Sequence, residues 1–238
     1  MTEETVKEKT PVIDRMFAAG AHFGFGKSRR HPSAKSYIFG SKNRTEIFDL
    51  EKTSELLEKA KFGISSFGKE GKTVLFVSGK NEAKEAVKSA AESLGMPYVA
   101  GRWIGGTITN FSIIRSRVEK YLELVSAREK GELAKYTKKE RLLIDREIDR
   151  LQNLFGGLVL LTKKPDALFV IDAKQEYTAV NEARRMGIPV VALLSSDGDS
   201  SRVTYPVFGN DSAKKSIEFF VNEMKEAYEE GKKAQKIA

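Results

Sequence analysis

From Arg15 to Thr45 the chain carries no acidic residue, while Arg15, Lys27, Arg29, Arg30, Lys35, Lys42 and Arg44 are spread along it. Charged residues make up 31% of the sequence, so so long a run of one sign is unusual. A solvated protein face normally mixes signs. Glycines and the rings of Phe23, Phe25, Tyr37 and Phe39 separate the cations. The pattern is that of a surface laid against a polyanion.

Other anions are less well served. Ala21-His22-Phe23-Gly24-Phe25-Gly26-Lys27-Ser28 comes nearest to a phosphate loop, which requires G-x-x-x-x-G-K-S directly after a strand and opening a helix. Position 21 is Ala, no apolar strand precedes it, and Pro32 soon follows. Gly24-Phe25-Gly26 fails as a dinucleotide fingerprint because Arg29 stands at the third glycine. A basic loop with flexible glycines describes the segment better. Catalytic groups are sparse: His22 and His31 are the two histidines, and there is no cysteine. Thiol chemistry and most triads are therefore out of reach, and no catalytic residue is assigned.

Asp172 follows an apolar run, where open α/β sheets place ligands, and Asp197, Asp199 and Asp211 follow or adjoin later runs. With His22 they could hold a divalent cation. Their expected role is turn and cap chemistry instead: Asp197-Gly198 favours a turn, and Asn210 or Asp211 can cap a helix. No metal and no cofactor is expected. Gly101-Arg102-Trp103-Ile104-Gly105-Gly106-Thr107 holds the only tryptophan beside an arginine and a diglycine. Trp103 in this motif is either a core residue or a platform for a base.

The elements that must position these residues follow a rhythm. Apolar runs at 73–77, 167–171, 190–194 and 205–208 read as strands, with a short one at 98–99. Helical spacing appears over 51–67, 81–94, 175–186 and from 212 to about 230, with Gly95-x-Pro97 and Gly187-x-Pro189 as stops. Residues 37–39 and 46–50 flank the turn Gly40-Ser41-Lys42-Asn43 as a small hairpin. Continuous apolar strands alternating with amphipathic helices predict a parallel α/β sheet with helices on both faces. The rhythm breaks at 107–156. Phe111, Ile114, Val118, Tyr121 and Val125, then Ile144, Ile148, Leu151 and Phe155, recur at threes and fours. They predict an inserted antiparallel coiled-coil helical hairpin, with Thr137 and Glu140 as a capping box. Its charges are mixed, and only Lys138-Lys139 near the tip forms a local positive spot. The expected division is a disordered end at 1–10, an α/β domain of 11–106 and 157–230, the insertion at 107–156, and a tail at 231–238.

The 238 residues carry a formal net charge of +8, which favours nucleic acid as partner, with an anionic membrane surface second. No apolar run approaches the roughly 20 residues of a bilayer span, and the polar start MTEETVKEKT argues against export. A cytoplasmic protein fits.

Ala19-Gly20-Ala21-His22-Phe23-Gly24, Arg29-Arg30, Tyr37-Ile38-Phe39-Gly40 and Ile47-Phe48-Asp49-Leu50-Glu51-Lys52-Thr53 occur in that order. Arg102-Trp103-Ile104-Gly105-Gly106-Thr107-Ile108-Thr109-Asn110, Thr137-Lys138-Lys139-Glu140, Pro165-Asp166-Ala167-Leu168-Phe169-Val170-Ile171-Asp172, Gly187-Ile188-Pro189-Val190 and Gly209-Asn210-Asp211 complete the series. Together they resemble the family of the second protein of the bacterial small ribosomal subunit, over about residues 12–225. The chain departs from that family's pattern at Phe25-Gly26-Lys27 and at Asp197-Gly198-Asp199-Ser200. The resemblance implies a flavodoxin-like sheet with a protruding coiled-coil hairpin and no enzymatic activity. It also implies a structural role on the solvent side of the subunit near the mRNA exit. The partners it implies are small-subunit rRNA and neighbouring ribosomal proteins, including the large mRNA-binding first protein; no membrane or DNA partner is expected. Lys27, Arg29, Arg30, Lys35, Lys42 and Arg44 are then the expected phosphate contacts, with Arg102 and the Lys138-Lys139 tip as further anchors. The rivals are an α/β enzyme or binding protein for a phosphorylated ligand near Asp172 and Ser195-Ser196, and a free-standing mRNA-binding regulator.

Overall fold

A computed structural model describes residues 11–237. The expectation for residues 1–10 lies outside the described residues. After helix α1 (Val12–Ala18) come an antiparallel pair, β1 (Ile38–Lys42) and β2 (Thr45–Phe48), and helix α2 (Leu50–Lys69). Asp49 caps α2, its Oδ1 accepting from the Glu51 and Lys52 amides. Then follow β3 (Val74–Ser78), α3 (Asn81–Leu94) and β4 (Tyr98–Ala100). Helices α4 (Phe111–Glu129) and α5 (Lys138–Phe155) lead to β5 (Ala167–Ile171), α6 (Tyr177–Arg185), β6 (Val190–Leu194), β7 (Tyr205–Phe208) and α7 (Lys214–Ile237).

The main sheet is parallel, in the order β4-β3-β5-β6-β7. Counted within the sheet this is 2-1-3-4-5, the flavodoxin-type order with its switch point between β3 and β5. Every residue of β3, β5 and β6 is buried. That is why these strands read as unbroken apolar runs rather than alternating ones. Alternate residues supply two cores. Phe76, Phe169, Leu193 and Val207 face α2, α3 and α7, whereas Leu75, Val170, Leu194 and Phe208 face Trp103, α6 and the base of α4 and α5.

Helices α4 and α5 pack on one another, burying Ile114 and Val118 of α4 and Ile148, Leu151 and Phe155 of α5. Lys120–Glu147 (3.8 Å) and Arg128–Asp145 (3.9 Å) bridge them. The capping box at Thr137 forms: its hydroxyl accepts from the Glu140 amide, and the Glu140 carboxylate accepts from the Thr137 amide at 2.8 Å.

Two boundaries differ from expectation by more than two residues or in kind. The β1–β2 turn is Asn43-Arg44, both at positive φ (51° and 65°), as a two-residue hairpin of the mirror-image type requires. Gly40, read as part of the turn, lies in β1 at an irregularity of the pairing. Lys42 is therefore a strand residue and Arg44 the tip. Helix α7 continues to Ile237 instead of stopping near 230, so the expected tail at 231–238 is helical through Ile237. Gly231 is not a stop. A Cβ there would strike the Ser65 carbonyl oxygen of α2, and a Cβ on Gly68 would strike the Tyr228 carbonyl of α7. The glycines let two helix backbones approach.

Gly231→Ala pits two effects against each other. Alanine normally favours a helix interior by about 1 kcal/mol over glycine. Overpacking against a backbone atom that cannot rotate away costs about 1–3 kcal/mol. The steric cost dominates, and urea denaturation is expected to show Gly231→Ala less stable than wild type by ~1–2 kcal/mol.

Candidate nucleic-acid interface

The acid-free segment docks on the carboxyl ends of β6 and β7. The Phe25 amide donates to Ser196 Oγ (2.9 Å) and the His31 amide to the Ser196 carbonyl (2.8 Å). The Ser33 hydroxyl donates to the Gly198 carbonyl and accepts from the Ser200 amide, each at 3.2 Å. Farther back, Asn210 binds the Ala21 carbonyl through its amide (2.9 Å) and the Gly20 carbonyl through Nδ2 (3.0 Å). The Gly24 and Phe48 amides donate to the Glu46 and His22 carbonyls (both 2.8 Å), and the Glu46 amide to the Phe25 carbonyl (3.1 Å). Residues 22–25 thus run as a third strand beside β2. A Cβ on Gly24 would press on Ser196 and the Phe48 ring at 3.2–3.3 Å, so this approach depends on glycine.

Within this frame Lys27, Arg29, Lys35, Lys42 and Arg44 are exposed. No salt bridge engages them among the described residues. Lys27 and Arg29 lie on a single 3-10 turn, with the Arg29 guanidinium 5.3 Å from the Phe25 ring centroid. A Cβ on Gly26 would touch the Arg44 carbonyl at 3.0 Å, so this turn lies against the β1–β2 tip. Lys35 is on a second 3-10 turn, Pro32–Tyr37. Arg30 differs. Its Nη1 pairs at 3.0 Å with Glu46, a carboxylate with 2% side-chain exposure, so it acts as an internal counter-ion.

Arg102 is exposed on the loop after β4, at the same end of the sheet. Its groove adjoins that of Arg29, the two sharing Gly79 and Gln175. Trp103 is 9% exposed and donates Nε1–H to Glu182 Oε1 at 3.1 Å, so it is a core residue. The same carboxylate accepts from the amides of Gly106 (2.7 Å), Ile108 (3.0 Å) and Thr109 (3.1 Å) and from the Thr109 hydroxyl (3.1 Å). Burial works to raise the Glu182 pKa, but these donors, Gly106 first, hold it below the ordinary value. Lys138 and Lys139 are exposed on the first turn of α5. That turn is some 25 Å along the helix from Phe155, counting ~1.5 Å per residue, so this pair does not converge with the rest.

The small-ligand alternative finds its groups already engaged. Asp172, at φ 63°, pairs with Lys80 (2.8 Å) and accepts from the Lys174 and Gln175 amides. Lys80 also meets Asp211 at 3.0 Å. Burial pushes the Asp211 carboxyl up to about 6 against the pull of Lys80. Ser195 and Ser196 are buried, and Ser196 is occupied with Phe25 and His31. Asp197 pairs with Lys174 (2.8 Å), and Asp199 with Arg202 (3.1 Å). His22 is packed between Phe17 and Phe23, and burial lowers its pKa. Among the described residues no group of three metal-ligating side chains converges. Asn210 caps the turn before α7, accepting from the Ser212 and Ala213 amides.

Sequence reasoning missed Glu182, Glu46 and Lys80, and named Ser196 only for the rival ligand site, not as the dock of the basic segment. Glu182 had one readable signal: it sits among Ala179, Val180 and Ala183, on the inward face of α6.

Two measurements probe this framework. Glu182→Ala leaves the Trp103 indole and three loop amides short of an acceptor. Urea denaturation is expected to show a loss of ~3–5 kcal/mol, with a red shift of the Trp103 emission. Glu176 concerns pH. Burial, opposed by the Gly79 amide and helped by Asp172, pushes its carboxyl from the ordinary 4.5 to about 7. The unfolded chain gives up this proton first, so stability is full below 4.5 and falls as pH rises through about 7. Glu176→Gln is therefore expected to gain ~2 kcal/mol relative to wild type at pH 8 and nothing at pH 4, read by thermal melting.

Comparison with known proteins agrees with this geometry. The family model described as Ribosomal protein S2 matches residues 16–231. The small ribosomal subunit protein uS2 of Coprothermobacter proteolyticus is 41% identical over 220 residues, covering 92% of this chain and 82% of that protein. The protein of the same name from Sulfurimonas denitrificans is 43% identical over 217 residues, with coverage of 91% and 84%. That of Dictyoglomus thermophilum is 38% identical over 221 residues, with coverage of 93% and 90%. A parallel five-stranded sheet flanked by helices, a cationic segment docked at its carboxyl end, and matches over nine-tenths of the chain lead to one conclusion: the chain belongs to the ribosomal protein S2 family.

Proposed function

We propose that this chain is a structural constituent of the small ribosomal subunit that grips subunit rRNA with the segment 27–44. The observation that carries the reading is the docking on Ser196 and Gly198. The segment's backbone covers the carboxyl ends of β6 and β7, beside the β3–β5 switch point where flavodoxin-type sheets seat ligands, and it presents Lys27, Arg29, Lys35, Lys42 and Arg44 outward. Evenly spread cations on a rigid support suit phosphates, which position a protein without choosing a sequence. Arg102 extends the same surface, and Arg30 supports it from within.

In this reading α4 and α5 form an antiparallel coiled-coil arm, residues 107–156, inserted into an α/β domain of 11–106 and 157–230. The interhelical ion pairs and the seam from Ile114 to Phe155 support it. Lys138 and Lys139 at its far end give a second anchor on rRNA. Phe39 is 81% exposed and Phe23 47%, rings suited to neighbouring proteins, among them the large mRNA-binding first protein of the subunit. The relatives are named as small ribosomal subunit proteins, and in this reading the chain is likewise a structural, non-enzymatic protein of cytoplasmic ribosomes. No helix among the described residues is long and apolar enough to cross a membrane.

Replacing Arg29, Lys35 and Lys42 together by Glu tests the reading without touching the Arg30–Glu46 pair. Binding to small-subunit rRNA fragments is expected to fall at least tenfold at moderate salt. The slope of log affinity against log salt is expected to shrink by about two to three units, near 0.7–0.9 per lost phosphate contact. Unchanged affinity together with unchanged assembly into subunits on sucrose gradients would remove this segment from the interface.

A further inference from the structure

Beside the basic segment lies a small pocket of about 240 Å³. Its floor is apolar, with Ala173 8% and Val180 1% exposed. One wall is Tyr177, a ring left 62% exposed on the first turn of α6. The rim is polar but electrically closed. Lys174 pairs with Asp197 at 2.8 Å, and Arg202 pairs with Asp199 at 3.1 Å. Arg202 also donates to Asn181 Oδ1 at 3.1 Å, which fixes its guanidinium plane. His31 completes the rim. Its Nδ1 is tied to Ser33 at 2.8 Å, while Nε2 makes no hydrogen bond among the described residues.

These features select a ligand class. Two cations matched by two carboxylates offer a phosphate no net attraction. An apolar floor beside an exposed aromatic ring favours a flat, neutral group, and the fixed polar edges around it suit hydrogen bonds in the plane of that group. The volume is below the roughly 300–1,000 Å³ of pockets for drug-sized ligands, so one ring system fits and a whole nucleotide does not. We infer that this pocket takes a single nucleobase splayed out of the RNA strand that lies along residues 27–44, stacked on Tyr177 and read by His31, Asp199 and Arg202. Continuity points to RNA as the source of the base. His31 belongs to the basic segment, and the 3-10 turn that carries Lys35 packs on the turn Ser200–Arg202. Unpaired bases stacked on aromatic side chains and read on their edges are the usual means of selective RNA recognition. The segment itself supplies affinity without selectivity, and the pocket adds a choice of base at one position.

The inference rests on the rRNA reading, and the two fail in different ways. Tyr177→Ala changes an exposed side chain. It is expected to weaken binding of an rRNA fragment containing single-stranded loops by about tenfold at fixed salt, with Tyr177→Phe near wild type. The salt slope is expected to stay that of wild type, whereas Lys35→Ala lowers it by about 0.7–0.9. Full affinity in Tyr177→Ala, with wild type still strongly salt-dependent, overturns the pocket and leaves the rRNA reading intact. Absence of salt-dependent binding by wild type overturns the reading beneath it. AMP, GMP, CMP and UMP at millimolar concentration separate the sources of a base: weak competition with the fragment supports RNA, and saturable binding tighter than the fragment's overturns it in favour of a free nucleotide. Ultraviolet cross-linking of assembled subunits is expected to leave a nucleotide on Tyr177. A cross-link from Tyr177 to a neighbouring protein overturns the assignment.

Discussion

Two hydrogen bonds to Ser196, one to its hydroxyl from the Phe25 amide and one to its carbonyl from the His31 amide, decide what the carboxyl end of this sheet can do. Parallel α/β sheets leave strand-end groups facing a crevice, and small ligands usually occupy it. Here the chain covers the β6 and β7 side of that end, and at the switch point Lys80 and Asp172 pair with each other. A buried serine between a strand and a loop takes both bonds, with Gly24 pressed against its side chain. The docked segment gains a rigid base, and its outward side chains gain fixed positions. A flexible basic arm would have to lose that freedom on binding RNA, at a cost of order 1 kcal/mol per ordered residue. The fold makes that expenditure beforehand, with the whole core as its support.

The cations divide by depth. Arg15 and Lys61 meet the buried Glu223 at 2.6 and 3.0 Å, Arg30 meets Glu46, and Lys80 meets Asp172 and Asp211. Each of these joins elements distant in sequence. Removing one partner would strand a charge in a poorly solvated place, which costs far more than an exposed pair contributes. The acid-free run is therefore not one surface. Arg15 and Arg30 are each tied to a buried carboxylate, Arg15 from the surface, and the unpaired charge comes from five residues between Lys27 and Arg44.

Much of the sheet was legible because burial on both faces writes itself as uninterrupted apolar runs. The strands at 167–171, 190–194 and 205–208 and the helix at 81–94 have the bounds their spacing predicts. Punctuation by glycine was less reliable. Gly95 and Gly187 end helices at positive φ, but Gly40 lies in a strand instead of the turn assigned to it, and Gly231 lies inside α7, past the expected end near 230. A glycine serves either backbone freedom or close approach, and only the neighbouring element, α2 in the case of Gly231, tells which. The exposed cations were readable as a class from composition. That Arg30 is spent on Glu46 was not, because the pairing depends on the strand register of residues 22–25 against β2.

Glu182 carries the same lesson to the other side of the sheet. The loop from Trp103 to Thr109 looks, as a string, like a place for a ligand: a lone indole, an arginine, a diglycine. In space three of its amides and its indole turn inward to one carboxylate on α6. Four N–H donors around a buried anion form a site closed by the protein itself, and a base could not stack on Trp103 without breaking it. Arg102, one residue before, is left pointing to solvent beside the groove of Arg29. The two basic regions thus share a construction. In each, a buried polar group of the α/β core, Ser196 or Glu182, satisfies the backbone of a glycine-bearing segment, and the adjoining cations face outward because their own backbone is already held.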